Sequence, residues 1–302
     1  MNSALAVWCL PFIFLACSPA KTDMDLTSLK EKIQNKINAV PETVVAVAYK
    51  DLRSKKTLFI HEKEMIHAAS TMKIPVMMEV FKQAASGRFQ LTDSLLVKND
   101  FHSIMDGSLY AMDIGEDSDD ILYSKIGHKM SIHDLVFHMI TASSNLATNI
   151  LIEFVGAENV QKTMKDLGAN DIRILRGVED LKAYRAGKNN RTDAYDLLQI
   201  LQAIAQKEFV SQQACEDMLK ILFAQKYNTK IPAQLPKNTR VAHKTGAITK
   251  ISHDCGIIYP ADSPPYILVV LTKGYKNNKQ AEQLIADISK QIYDFHNSLY
   301  NP

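Results

Sequence analysis

Strand-like sequence occurs only towards the two ends of this chain, and that placement limits how it can fold. Thr43–Tyr49 alternates and is rich in β-branched residues, Asp51–Lys56 turns, and Thr57–Ile60 returns, which is a β-hairpin. The next strand patterns are Arg240–Ala247, His253–Tyr259 and Tyr266–Thr272, the last carrying the unbroken run Ile267-Leu268-Val269-Val270-Leu271. The simplest folding joins both groups in one five-stranded antiparallel sheet. Amphipathic helices at Leu26–Ile37 and Lys279–Tyr300 would flank it, and the helical middle would form a second lobe.

That middle begins with an almost wholly apolar helix (Ile74, Val76, Met77, Met78, Val80, Phe81), ended by Ser86-Gly87. A helix apolar on every side belongs in a core, and Met72, Met77 and Met78 read as core filling. Ser131-Ile132-His133-Asp134 is a capped helix start. Further helical patterns cover Leu146–Phe154, Ala157–Leu167, Thr192–Ala205 and Ser211–Ala224. Residues 171–191 are polar and without period, a loop of functional length. The acidic run Glu116-Asp117-Ser118-Asp119-Asp120 reads as a solvated loop at or near a rim.

Residues 1–20 differ from the rest: they hold no charged side chain and run through Leu5, Val7, Trp8, Leu10, Phe12, Ile13, Phe14 and Leu15. The run is too short to span a bilayer and is followed by polar sequence, as in an export signal. Phe14-Leu15-Ala16-Cys17-Ser18 resembles a bacterial lipoprotein processing site, although Phe14 stands where leucine is usual. Residues 1–17 are therefore read as the signal, with Cys17 as the residue to be lipidated and simple cleavage nearby as the alternative. Residues 24–302 are read as one domain, with an α/β lobe at about 24–69 and 225–302 and an all-α lobe at about 70–224. Cys215 and Cys255 could pair in an oxidising compartment, but two buried free thiols are the expectation. A net charge of +2 gives no footing for nucleic acid, and neither the cysteine nor the histidine spacing suggests a metal.

Ser70 stands just before the apolar helix, with Lys73 three residues on. A serine hydroxyl is a poor nucleophile unless a base within hydrogen-bond reach takes its proton. If Ser70 opens a helix, both side chains share one face, and Pro75 fits near that start. The alternative is a helix-capping serine beside a solvated lysine. Two further short motifs follow in order, Ser143-x-Asn145 and Lys244-Thr245-Gly246. Each is weak alone, whereas all three in this order carry weight.

Together they resemble the penicillin-recognising serine enzymes, β-lactamases and D,D-peptidases, and most of all the class A β-lactamases. The resemblance implies the two-lobed α/β fold of β-lactamases and D,D-peptidases, and a Ser70 acyl-enzyme formed on a small β-lactam substrate without a cofactor. It implies an exported protein of the periplasm, read as a monomer and possible to anchor through Cys17. By the same resemblance Ser143 passes a proton to the lactam nitrogen, and Asn145 holds Lys73 and the substrate amide. Lys244 and Thr245 bind the substrate carboxylate, Gly246 keeps the strand open, and the N–H groups of Ser70 and Ala247 form the oxyanion hole. Glu179, in the irregular loop, matches the carboxylate that activates water for deacylation. The family expects proline next and asparagine three residues later; here stand Asp180 and Ala183, with Asn189 and Asn190 as candidate substitutes. Arg176 and Asp193 are expected to pair across the neck of the loop.

Free lysine titrates near 10.4, so only about one molecule in two thousand is neutral at pH 7. For Lys73 to act as base, burial and cations such as Lys244 must lower that by roughly three pH units, about 4 kcal/mol. The other arrangement has Glu179 take the serine proton through a water. Two rivals remain beside a β-lactamase: a D,D-peptidase or esterase on the same scaffold, and a penicillin-binding sensor that stays acylated. His253-Asp254 are read as structural, since adjacent strand positions face opposite ways.

Overall fold

A computed structural model describes residues 25–301. The export segment and Cys17 lie outside the described residues. Five strands form the main sheet: β1 (Val44–Asp51), β2 (Thr57–Ile60), β3 (Arg240–Ile248), β4 (Ile251–Tyr259) and β5 (Tyr266–Lys273), in the order β2-β1-β5-β4-β3 and antiparallel throughout. The two chain ends meet at β1 and β5, where Val47 lies opposite Val270. That is why the apolar run of β5 shows no alternation: as an inner strand it is buried on both faces.

The period of two in β1 divides its side chains between two cores. Val45, Val47 and Tyr49 pack with Leu29 and Ile33 of helix α1 (Leu26–Asn38) and with the apolar stripe of the carboxy-terminal helix (Asn278–Ser298). Ala46 and Ala48 face the other way, into a larger core shared with the helical region. Small residues there let helices approach the sheet closely. The sheet's inner face and the helices therefore bury one continuous apolar interior.

Helix α2 (Lys73–Ala85) runs through that interior, with Ile74, Val76, Met77 and Met78 fully buried. Helix α3 (Ile132–Thr141) starts at the expected cap, the Ser131 hydroxyl accepting from the Asp134 N–H. Helices α4 (Asn145–Val155) and α5 (Ala157–Asp166) follow. The stretch 171–191 is less irregular than its sequence suggests, because it contains the short helix α6 (Leu181–Arg185). A helix of five residues cannot display a 3.6-residue period, so only its cap, Asp180, marks it. The helices α7 (Ala194–Ala205) and α8 (Gln212–Phe223) complete the region. Cys215 and Cys255 are buried and free, as expected.

Candidate active site

Ser70 lies not in the first turn of an α-helix but in a 3₁₀ turn, Ala69–Met72, that leads into α2 at Lys73. Ala69 holds φ at +45°, and two other residues of the site are also left-handed: Ser143 at +61° and Glu179 at +60°. Non-glycine residues adopt this region at a cost and keep it only where their surroundings fix it. Two of the three, Ala69 and Glu179, line one cleft. The cleft, of about 650 Å³, is lined by Ser70, Asn145, Glu179 and Ala247 among others.

Lys73 is fully buried beneath it. Its Nζ donates to the Ser143 carbonyl (2.5 Å) and to Asn145 Oδ1 (2.9 Å), and lies 3.3 Å from Ser143 Oγ. Burial pulls the Lys73 pKa down to about 7, against the opposing pull of Asp117 and Glu179. Burial, the first of the two expected causes, accounts for the lowering.

Asn145 joins the two ends of the site. Its Oδ1 accepts from Lys73 and its Nδ2 donates to Glu179 Oε1 at 2.9 Å, so both halves of the amide are engaged. Burial raises the Glu179 pKa despite that hydrogen bond, and Asp117 and Glu116 add to the rise. Lys244, fully buried, donates to Ser143 Oγ (3.0 Å) and to the Thr245 carbonyl (2.9 Å). Burial, then the charges of Lys73 and Lys230, hold its pKa well below the usual lysine range. Ser143 Oγ thus stands between two buried amines whose titrations are coupled.

Gly246 serves a nearer neighbour than a ligand. A Cβ there would lie 3.1 Å from the Ser70 nitrogen and 3.2 Å from Ala69 Cβ, so the glycine lets β3 close on the turn that holds Ser70. Thr245 is buried next to it, and Ala247 is exposed on the cleft side.

Several sequence expectations are overturned. Arg176 does not pair with Asp193; it donates to the carbonyls of Lys188 and Gly177 and to Asn189 Oδ1. Asn190 is engaged as well, its Oδ1 accepting from the N–H groups of Leu175 and Arg176 and its Nδ2 donating to the Arg176 carbonyl. These amides stitch the loop together rather than replacing the missing asparagine beside Glu179. Ala183 is buried. Asp180, in place of proline, caps α6 and also accepts from Ser103 Oγ and the Ile104 N–H. The acidic run is only partly solvated. The Asp117 carboxylate accepts from the N–H groups of Asn145 and Leu146, and buried Asp119 contacts His138 Nδ1 at 2.5 Å. Helix α4 opens with unpaired N–H groups, and Asp117 satisfies them from another part of the chain. Glu116 and Ser118 do line the cleft. His253 and Asp254 part as expected: His253 bonds the His67 carbonyl, and Asp254 bonds His243 Nδ1.

The neck of the Glu179 loop is closed by a residue that the sequence did not mark. Lys63 Nζ reaches Asp171 (3.1 Å) at the start of the loop and Asp196 (3.2 Å) and Asp193 (3.5 Å) after it. Burial opposes the Lys63 charge, but the three carboxylates outweigh it and raise its pKa. Burial and the adjacent Asp196 push Asp193 up to about 6. Lys63→Met leaves buried Asp193 and Asp196 facing each other without a cation. Because Lys63 itself is half exposed, the expected loss is about 1–2 kcal/mol, between the surface and buried cases. Thermal melts at pH 7 check this, and an unchanged Tm removes Lys63 from the clamp.

The model of the beta-lactamase enzyme family matches residues 28–296. The chain belongs to the beta-lactamase family. It is 24% identical over 303 residues to the beta-lactamase VEB-1 of Pseudomonas aeruginosa, covering 94% of each chain. It is 25% identical over 197 residues to the beta-lactamase BRO-1 of Moraxella catarrhalis, covering 60% of this chain and 62% of that one. Among solved structures, PBP-A matches with a TM-score of 0.78 at 26% identity, over 89% of this chain and 96% of its own. A beta-lactamase from Sphaerobacter thermophilus matches with a TM-score of 0.78 at 23% identity, over 92% and 99%. The beta-lactamase fold, with its five-stranded antiparallel sheet and helical region, is thus shared along nearly the whole described chain.

Proposed function

We propose that this protein is a serine β-lactamase that opens the lactam ring on Ser70 and releases the product with a water activated by Glu179. The observation that carries this reading is the line Lys73–Asn145–Glu179, which places an amine of lowered pKa and a carboxylate of raised pKa on one amide beside the Ser70 cleft. Acylation alone needs the first; turnover needs the second.

Ser70 Oγ attacks the lactam carbonyl as Lys73 takes its proton, and the N–H groups of Ser70 and Ala247 hold the developing oxyanion. Ser143 delivers a proton to the lactam nitrogen as the C–N bond breaks, and it is re-protonated from the amines on either side. Lys244 and Thr245 hold the substrate carboxylate. An arriving carboxylate favours the charged form of Lys244, and that charge in turn favours neutral Lys73 across Ser143. In the second half, Glu179 removes a proton from water as its oxygen attacks the ester, and Ser70 Oγ recovers a proton on leaving.

We read residues 1–17 as an export signal to the periplasm and Cys17 as the lipidated residue. Among the described residues no helix is long and apolar enough to cross a membrane.

A second reading is favoured by Ala183, which brings no polar group to share a water with Glu179, and by the likeness to PBP-A. A solved complex of a PBP-A variant, 26% identical to this chain, is an acyl-enzyme with penicillin-G. In that reading the protein acylates and releases slowly, as a D,D-peptidase or a sensor would. Mixing the mature protein with a chromogenic cephalosporin separates the two when product and intact mass are followed together. Many turnovers are expected. A single stoichiometric burst with a lasting adduct supports the second reading, and no adduct at all overturns both.

A further inference from the structure

A third buried lysine lies at the site and has no part in the mechanism above. Lys230 is 3% exposed, and its Nζ donates to the carbonyls of Gly246 (3.2 Å) and His253 (3.1 Å). Those two residues are cross-strand partners on β3 and β4. A buried ammonium is costly to desolvate, and methionine would fill the same space without that cost. The next residue is anchored on both sides, the Ile231 N–H donating to Asp254 and its carbonyl accepting from Ser289. The Lys230 side chain is therefore held against Gly246 rather than lying there by chance.

The Gly246 carbonyl belongs to the same peptide group as the Ala247 N–H. The described chain has no cis peptide bonds, so this C=O and N–H point in opposite directions. With the carbonyl turned to Lys230, the N–H turns away from it. Strand β3 is the last in the sheet, and Ala247 lines the cleft together with Ser70. We infer that Lys230 is a positioning residue for the oxyanion hole: it orients and polarises the Gly246–Ala247 peptide so that the Ala247 N–H binds the reacting carbonyl oxygen more strongly. This rests on the β-lactamase reading above. Its physical basis is that a charged donor on a peptide carbonyl strengthens the hydrogen bond given by the same peptide's N–H.

Lys230→Met tests it, with Lys230→Gln as a second variant that keeps a neutral donor if the first does not fold. The expected fall in kcat is about tenfold, less than the roughly 10²–10³-fold that follows removal of a whole oxyanion donor. KM is expected to stay within about twofold, since ground-state contacts are retained. The decisive measurement is infrared difference spectroscopy on the Ser70 ester accumulated in a Glu179→Gln background, with the ester carbonyl isotopically labelled. A weaker oxyanion hole moves the ester stretch to higher wavenumber in the Lys230 variants. An ester whose stretch does not move overturns this inference alone, whatever happens to the rate. A loss confined to KM also overturns it, because Lys230 would then act on the substrate carboxylate through Lys244. A protein that forms no Ser70 ester takes down the underlying reading as well.

Discussion

Glu179→Gln is expected to leave ring opening intact and to stop the protein at the ester. Glutamine keeps the shape of the side chain and an oxygen to accept from Asn145 Nδ2, the contact made at 2.9 Å by Glu179 Oε1. What it cannot do is take a proton from water. General-base assistance contributes roughly 10²–10⁴-fold, about 3–5 kcal/mol of barrier, so steady-state hydrolysis should fall by that factor. Intact mass after mixing with penicillin-G should then show one lasting adduct per chain. The raised pKa of Glu179 sharpens the expectation, because a carboxylate that burial has made more basic is a better acceptor of a proton from water. Turnover unchanged in the variant would remove Glu179 from the mechanism. Loss of the adduct itself would mean that Glu179 also serves acylation.

Lys73→Met is the second change of large effect. It keeps the unbranched apolar stem, one atom shorter, but it removes the proposed base and leaves the Ser143 carbonyl and Asn145 Oδ1 without their donor. Acylation, read as the burst of chromogenic cephalosporin, is expected to fall by roughly 10²–10⁴-fold. In the unmodified protein the same chemistry should show in the pH profile. Burial lowers the Lys73 pKa to about 7, so the neutral amine predominates above that pH and the ammonium below it. The acylation rate should therefore rise about tenfold between pH 6 and pH 8 and then level off. A rate that is flat down to the carboxylate range, with Lys73→Met acylating normally, would assign the serine proton to Glu179 and its water instead.

Much of the fold was legible along the chain. Alternation in β1, the unbroken apolar run of β5 and the Ser131 cap are local signals, and the elements they predict are present. The elements that escaped were short or had no pattern. Helix α6 spans five residues, and the 3₁₀ turn under Ser70 looks in sequence like the beginning of α2. The error over Arg176 and Asp193 has a different origin. The pair was carried over from the resemblance, but which cation reaches the neck depends on a segment far away in the sequence. Lys63, on an exposed turn, carried no mark of that role.

What the sequence determined by itself was chemistry and order: a serine followed by a lysine, Ser143 with Asn145, Lys244 with Thr245 and Gly246, and strands at both ends that had to pair. Only the tertiary structure decided how those groups behave. The lowered pKa of Lys73 comes from complete burial and the Asn145 bridge from α4 meeting the loop of Glu179, and the left-handed backbone of Ala69, Ser143 and Glu179 has no mark in their residue types. Residue types and spacing are properties of the chain. Desolvation and strain belong to a place in space, and they arise only when distant segments close around it.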